Sequence, residues 1–99
     1  VKIAGEVKMI EVDHKARKLI RVRAEMKGDE ILGIQIRGDF FAIPKESIAT
    51  LELMLIGGRL EKEAVSEAVR LFYEETRAQT PGMGPQDLTA AVMGIKELL

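Results

Sequence analysis

The sequence contains few residues whose chemistry could build a reactive centre, and their spacing matches no catalytic set. His14 is the single histidine, and it lies in a polar stretch, residues 13–16, that is typical of a hairpin loop. A metal site needs several converging ligands, so a lone histidine in a loop does not predict one. Ser47 and Ser66 are the only serines, and both fall within predicted helices. We therefore expect no Ser-His-Asp arrangement.

Other reactive motifs are also missing. The chain has no cysteine, which excludes thiolate nucleophiles, disulfides and cysteine-ligated metals. Residues 82–85 are rich in glycine, but no predicted strand precedes them, so we interpret them as a linker between helices and not as a phosphate loop. The acidic second helix is interpreted as a solvated face. The sequence thus predicts no catalytic, cofactor or metal site in this chain.

A basic stretch is the clearest charge bias. Six cations fall within 13 residues, offset only by Glu25: Lys15, Arg17, Lys18, Arg21, Arg23 and Lys27. Arg21, Arg23 and Lys27 share one face of the predicted second strand. Two interpretations remain open. The stretch is either an exposed sheet face paired with acids such as Glu6, or a docking surface for an anionic partner or an acidic protein patch.

Two of the three phenylalanines, Phe40 and Phe41, follow Gly38-Asp39 directly, where strand gives way to helix. Either both fill the corner of the core, or one of them stays exposed, because adjacent side chains cannot easily point the same way. An exposed aromatic suits an interface anchor. Arg21, Arg23, Phe40 and Phe41 are accordingly the candidate partner-interface residues.

Length and composition favour one soluble globular domain. The chain has 99 residues, of which 46% are hydrophobic and 31% charged, and its formal net charge is -1 at pH 7. That balance does not demand nucleic acid or a membrane surface as partner. No apolar run approaches the ~20 residues that span a bilayer, and the N-terminus lacks the apolar block of a signal peptide. Together with the lack of cysteine, this leads us to expect a cytoplasmic protein.

Alternating hydrophobic residues predict a three-stranded antiparallel meander over residues 1–38. The strands are expected over Lys2–Val12, Arg17–Lys27 and Ile31–Arg37. Gly28 suits the turn between the last two. The side chains expected to face the core are Ile3, Val7 and Met9, then Ile20, Val22, Ala24 and Met26, then Leu32, Ile34 and Ile36.

Helical spacing predicts three helices over residues 44–99, packed on one face of the sheet. The first begins near Pro44 and ends before Gly57, which suits a left-handed position past a C-terminus. The second runs from about Glu61 to Gln79, and the third from about Gln86 to Leu98. We therefore predict an α+β fold in a single domain spanning residues 1–99.

The stretch Ile36–Phe41, followed by Pro44 and by Leu55-Ile56-Gly57, resembles the C-terminal accessory domain of lipoate–protein ligases. In that family a hairpin with a glycine turn leads into Gly-Asp-Phe, a leucine-rich helix closes with glycine, and further helices follow. The resemblance covers most of the chain, and its motif residues are Gly38, Asp39, Pro44 and Gly57. It extends to the split form found in some archaea, in which the accessory part is a separate chain.

The resemblance implies an accessory subunit without a catalytic site of its own. Its partner would be the catalytic subunit of the ligase, in a heterodimer that acts on lipoyl domains. The reaction implied is the ATP-dependent conversion of lipoate to lipoyl-AMP, followed by transfer to a lysine. ATP and lipoate are expected in the partner, with none bound by this chain.

Two rival functions are kept open. The basic second strand could belong to a nucleic-acid-binding module, although the strands offer few aromatic residues for base stacking. A self-associating structural domain is the other possibility.

Overall fold

The computed structural model describes residues 7–99, and its architecture is a three-stranded antiparallel sheet followed by three helices. The strands, in the spatial order β1-β2-β3, are β1 (Val7–Lys15), β2 (Leu19–Lys27) and β3 (Glu30–Gly38). The helices are α1 (Ser47–Leu55), α2 (Lys62–Thr76) and α3 (Pro85–Met93), and a 3-10 helix over Gly94–Leu98 follows α3. The predicted α+β meander with three helices is confirmed.

The core lies between one face of the sheet and the helices. The central strand β2 supplies Ile20, Val22, Ala24 and Met26, all buried as their strict alternation predicts. The core residues of the helices recur every three or four positions, so each helix buries a stripe. These residues are Leu51, Leu55, Val65, Val69, Phe72, Leu88, Ala91, Val92 and Ile95.

The predicted orientation of β1 is wrong. Val7 and Met9 are 50% and 57% exposed, whereas Ile10 is buried. Directly opposed residues of antiparallel strands point to the same side, and the register sets Ile10 against Ala24 but Met9 against Glu25. β1 also continues through Lys15, so part of the predicted hairpin loop belongs to the strand, and the turn occupies residues 16–18. The predicted strand segment 2–6, including Ile3 and Glu6, lies outside the described residues.

A β-bulge in β3 explains a second difference. Met26 pairs with Ile31 and Glu25 with Gly33, so Leu32 is an extra residue in the ladder. Ile31 and Ile34 are buried on either side of it, while Leu32, predicted to face the core, is only half-buried.

Helix α1 begins at Ser47, three residues after Pro44. Ile43 forms an isolated antiparallel bridge with Gln79, in keeping with the extended conformation favoured before proline. Residues 44–46 then form a turn in which Ser47 N–H donates to the Pro44 carbonyl at 3.0 Å. At the other end Gly57 has a φ of 87°, as its predicted left-handed position requires.

Helix α2 ends at Thr76, three residues before the predicted Gln79. The Thr76 hydroxyl donates to the Phe72 carbonyl at 2.7 Å and accepts the Ala78 N–H at 3.1 Å. Arg77 then adopts a left-handed conformation with a φ of 56°. The Ala78 N–H thus donates to the threonine side chain and not to a carbonyl one turn earlier. This side-chain bond competes with the helical hydrogen-bond pattern, and the helix ends there.

Candidate partner-binding surfaces

The helices cover one face of the sheet, and the opposite face presents the basic residues singled out from the sequence. Arg21 is exposed and binds Asp13 on the neighbouring strand through two hydrogen bonds of 2.8 and 3.3 Å. This bond holds the pKa of the Asp13 carboxyl below its ordinary value, and it raises the pKa of Arg21. For Arg21 the structure therefore supports the interpretation of an exposed face paired with acids.

Arg23 is also exposed, and it lies between Glu11 of β1 and Gln35 of β3. Arg37 lies opposite Arg21 on the same face. The acids of this face are Glu11 and Asp13 of β1 and Glu25 of β2, so anions are interspersed among the cations. A stretch that is basic in sequence thus becomes a surface of mixed charge once the strands pair.

The Gly38-Asp39 pair joins the end of β3 to the start of β2 through hydrogen bonds. The Asp39 carboxylate accepts the Leu19 N–H at 2.7 Å, and Asp39 N–H donates to the Leu19 carbonyl at 3.2 Å. Gly38 has a φ of 155°, and a Cβ there would lie 2.0 Å from the Leu19 carbonyl oxygen. Only glycine allows this approach, which gives the Gly-Asp motif a structural role.

The structure decides which phenylalanine is exposed. Phe40 is half-buried and packs against the core, whereas Phe41 is 61% exposed. Ile43, two residues later, is also exposed. Phe41 therefore remains the more exposed candidate for an interface anchor, whereas Phe40 packs against the core and is only partly accessible.

A surface that the sequence interpretation missed lies on the outer side of α1. Leu53 is 72% exposed and Ile56, at the C-terminal end of the helix, is 42% exposed. The signal was present in the composition, because Glu52 is the only charged residue among the nine of α1. A helix that is apolar on all sides is normally buried on all sides.

The polar residues considered for chemistry lie in separate elements: His14 in β1, Ser47 in α1 and Ser66 in α2. Among residues 7–99 no group of three or more histidine, aspartate or glutamate side chains is placed to hold a metal ion. Within the same range no helix has the length and hydropathy required to cross a bilayer.

A shallow groove between α2 and α3 includes Tyr73, whose hydroxyl lies 2.7 Å from that of buried Thr80. Burial raises the pKa of the Tyr73 hydroxyl above its ordinary value, against the lowering effect of the hydrogen bond with Thr80. Thr80 in turn donates to the Met83 carbonyl at 3.0 Å. These bonds tie the loop before α3 to α2, which gives Tyr73 a structural role.

Comparison with known proteins gives three concordant results. Residues 19–91 match the family described as bacterial lipoate protein ligase C-terminus. "Lipoate-protein ligase A subunit 2" of Thermoplasma acidophilum is 43% identical over 79 residues, which are 79% of this chain and 81% of that protein.

The third result is structural. A solved chain from a study of an archaeal lipoylation system, "a bi-partite lipoate protein ligase and its E2 lipoyl domain" from Thermoplasma acidophilum, superposes with a TM-score of 0.79 at 38% identity. The match covers 88% of this chain and 97% of that chain. The likeness therefore extends through the sheet and the helices and is not confined to one motif.

Proposed function

The chain belongs to the family of the lipoate protein ligase C-terminus, and on that premise we propose that it is the accessory subunit of a bipartite lipoate–protein ligase. The observation that carries the proposal is the match to a relative named as a separate ligase subunit, of which this chain covers 81%. The accessory domain therefore has a counterpart that forms a chain by itself. Its partner is the catalytic subunit, in a heterodimer that acts on a lipoyl domain.

The proposed role is to support the activation of lipoate by ATP. In that step the lipoate carboxylate attacks the α-phosphorus of ATP, lipoyl-AMP forms and pyrophosphate leaves. Two anions must approach each other, so the reaction needs donors already in place to stabilise the developing charge. We assign the ATP and lipoate sites to the catalytic subunit.

An accessory subunit can accelerate such a step without touching the reacting atoms. It must bind the competent conformation of its partner more tightly than the idle one. A preference of about 3 kcal/mol would shift the populations by more than a hundredfold. Subsequent transfer of the lipoyl group to a lysine does not require that conformation to the same degree, because the activated carbonyl is already formed.

The rival role in nucleic-acid binding is not supported. It rested on the basic second strand, but Arg21 is bound to Asp13, and Arg23 lies beside Glu11. Acids interspersed among the cations of this face oppose the binding of a phosphate backbone. The cytoplasmic location expected from the sequence remains a prediction.

Reconstitution tests the proposal. Purified catalytic subunit is mixed with this chain, and pyrophosphate release from ATP and lipoate is measured with and without it. Preformed lipoyl-AMP is then supplied, and transfer to a lipoyl domain is measured. We expect strong dependence on this chain in the first assay and weaker dependence in the second. Equal rates with and without the chain in both assays would refute the accessory role.

A further inference from the structure

Helix α1 lies along the free edge of β3 and is held there by polar contacts. The Glu52 carboxylate accepts the Ile36 N–H of β3 at 2.8 Å. Beyond the helix, Gly57 N–H donates to the Ile31 carbonyl at 2.7 Å, and Ile31 N–H donates to the Gly58 carbonyl at 2.9 Å. These bonds occupy edge groups of β3 and fix which side of α1 faces outwards.

The inner side of α1 is buried in the core of the domain. Leu51 and Leu55 are buried in the core, and α1 contacts both α2 and β3. Leu53 is two positions from each of them, so on a helix it points away from that core. Its high exposure agrees with this placement, and Ile56, three positions later, lies on the same outer side.

The helical residues on the outer side of α1 carry no charge, and the exposed Glu46 lies at the N-terminal cap, about two turns before Leu53. Its exposed helical residues are Ala49, Thr50 and Leu53, and Ile56 follows at the C-terminal end. The one charged side chain of the helix, Glu52, is directed to the β3 backbone and so does not hydrate this surface. Depletion of charge with exposed aliphatic residues is the composition of an interface core.

We propose that this outer side of α1, centred on Leu53 and Ile56, is the surface that docks against the catalytic subunit. The inference rests on the proposed function, which supplies a stable protein partner. Interfaces between permanently associated subunits are more apolar than those of transient complexes. The helical residues of α1 offer such an apolar outer surface, while the uncovered face of the sheet carries cations with interspersed acids.

The same argument favours the catalytic subunit over the lipoyl domain as the occupant. A lipoyl domain is a substrate that must leave after each modification, and encounters of that kind use smaller and more polar surfaces. A second copy of this chain is the remaining alternative, and the measurements below separate it.

The experiment compares two exposed apolar residues of similar size on different surfaces. Leu53→Lys places a charge on the outer side of α1, and Met9→Lys places the same charge on the uncovered face of the sheet. Both sites are more than half exposed, so neither change is expected to unfold the chain. Thermal unfolding of each variant verifies this before binding is measured.

Affinity for the catalytic subunit is measured by titration calorimetry. We expect Leu53→Lys to raise Kd at least tenfold and Ile56→Lys to raise it by a smaller factor, because truncated or charged central anchors weaken interfaces most. Met9→Lys is expected to leave Kd within about twofold of the wild-type value. The chain concentration that half-maximally stimulates pyrophosphate release should rise in parallel with Kd.

Three outcomes would overturn the proposed docking surface. Leu53→Lys could bind the catalytic subunit as the wild-type chain does. Met9→Lys could weaken binding in its place, which would move the interface to the sheet. Sedimentation could show a homodimer that Leu53→Lys dissociates while affinity for the catalytic subunit stays unchanged. Failure of the proposed function is distinguishable, because then the wild-type chain itself fails to stimulate pyrophosphate release.

Discussion

Helices α1 and α2 pack against the same core but present opposite surfaces to water. Along the outer side of α2, Arg70 binds Glu67 and Glu74, the latter at 2.9 Å. Along the outer side of α1, Leu53 is exposed, and none of the exposed residues within the helix is charged. The inner sides are alike, since each helix buries aliphatic residues in the common core.

This difference distinguishes a helix surface that is suited to solvent from one that is suited to a protein partner. The polar outer side of α2 is what a helix needs against solvent. The outer side of α1 has the composition of a buried surface although the fold leaves it uncovered. A domain of this size can therefore build a stable core and still retain one side of a helix for a second protein.

The largest expected effect contrasts the two sides of α1. Leu51→Ala removes a fully buried side chain and should lower the free energy of unfolding by about 2–5 kcal/mol. Leu53→Ala, two residues away, should change it by less than about 1 kcal/mol, because that side chain is already largely in water. Urea unfolding of both variants makes the comparison. Similar losses would mean that the outer side of α1 contributes to the fold.

The next largest effect concerns the hydrogen bond between Glu52 of α1 and the backbone of β3. Glu52→Ala leaves the Ile36 N–H without its acceptor and should lower the free energy of unfolding by about 1–3 kcal/mol. Glu52→Gln keeps an oxygen acceptor, so we expect a smaller loss. Hydrogen exchange at the Ile36 amide should accelerate in the alanine variant. Unchanged exchange would show that the carboxylate does not protect this edge of the sheet.

A smaller effect is expected on the outer side of α2. Arg70→Ala removes both of its ion pairs, which are exposed and screened by solvent. The unfolding midpoint should therefore shift less than in Glu52→Ala, and the shift should shrink further at high salt. A salt-insensitive loss as large as that of Leu51→Ala would contradict the view of α2 as a solvated helix.

The smallest expected effect is a dependence of stability on pH, through the carboxyl group of Glu67. The hydrogen bond from Arg70 lowers the pKa of Glu67 below its ordinary value. A lowered folded-state pKa contributes stability above the unfolded-state value of about 4, and this contribution is lost as the pH falls through the folded-state value. NMR titration should show the pKa of Glu67 rising in Arg70→Ala. An unchanged pKa would mean that the pair does not form in solution.

Much of the fold follows from local pattern. The alternation of β2 predicted its four buried residues. Only one phase of this strand is apolar, so only that phase can face the covered side of the sheet. The left-handed position at Gly57 was likewise predictable, since a helix C-terminus commonly requires it. β1 differed because its apolar residues occur in two phases, Val7 with Met9 and Ile10 with Val12. Either phase satisfies a strand locally.

The candidate interface was predictable only in part. Adjacency raised the alternative that one of Phe40 and Phe41 is exposed, and the resemblance to a ligase accessory domain indicated that the chain has a partner. The pairing of Arg21 with Asp13 could not be read from the basic stretch, because it depends on the register of β1 against β2. The outer side of α1 was overlooked because an apolar residue in a helix is ordinarily assigned to the core.

By itself, the amino-acid sequence determined the order of strands and helices, the four buried residues of β2 and the family. These properties depend on hydrophobic period, glycine conformation and local motif, all of which act over a few neighbouring residues. Only the tertiary structure decided the phase of β1, the exposure of Phe41 and the outward orientation of Leu53. Those outcomes depend on which face of one element meets another, and that choice is made by contacts between residues distant in the chain.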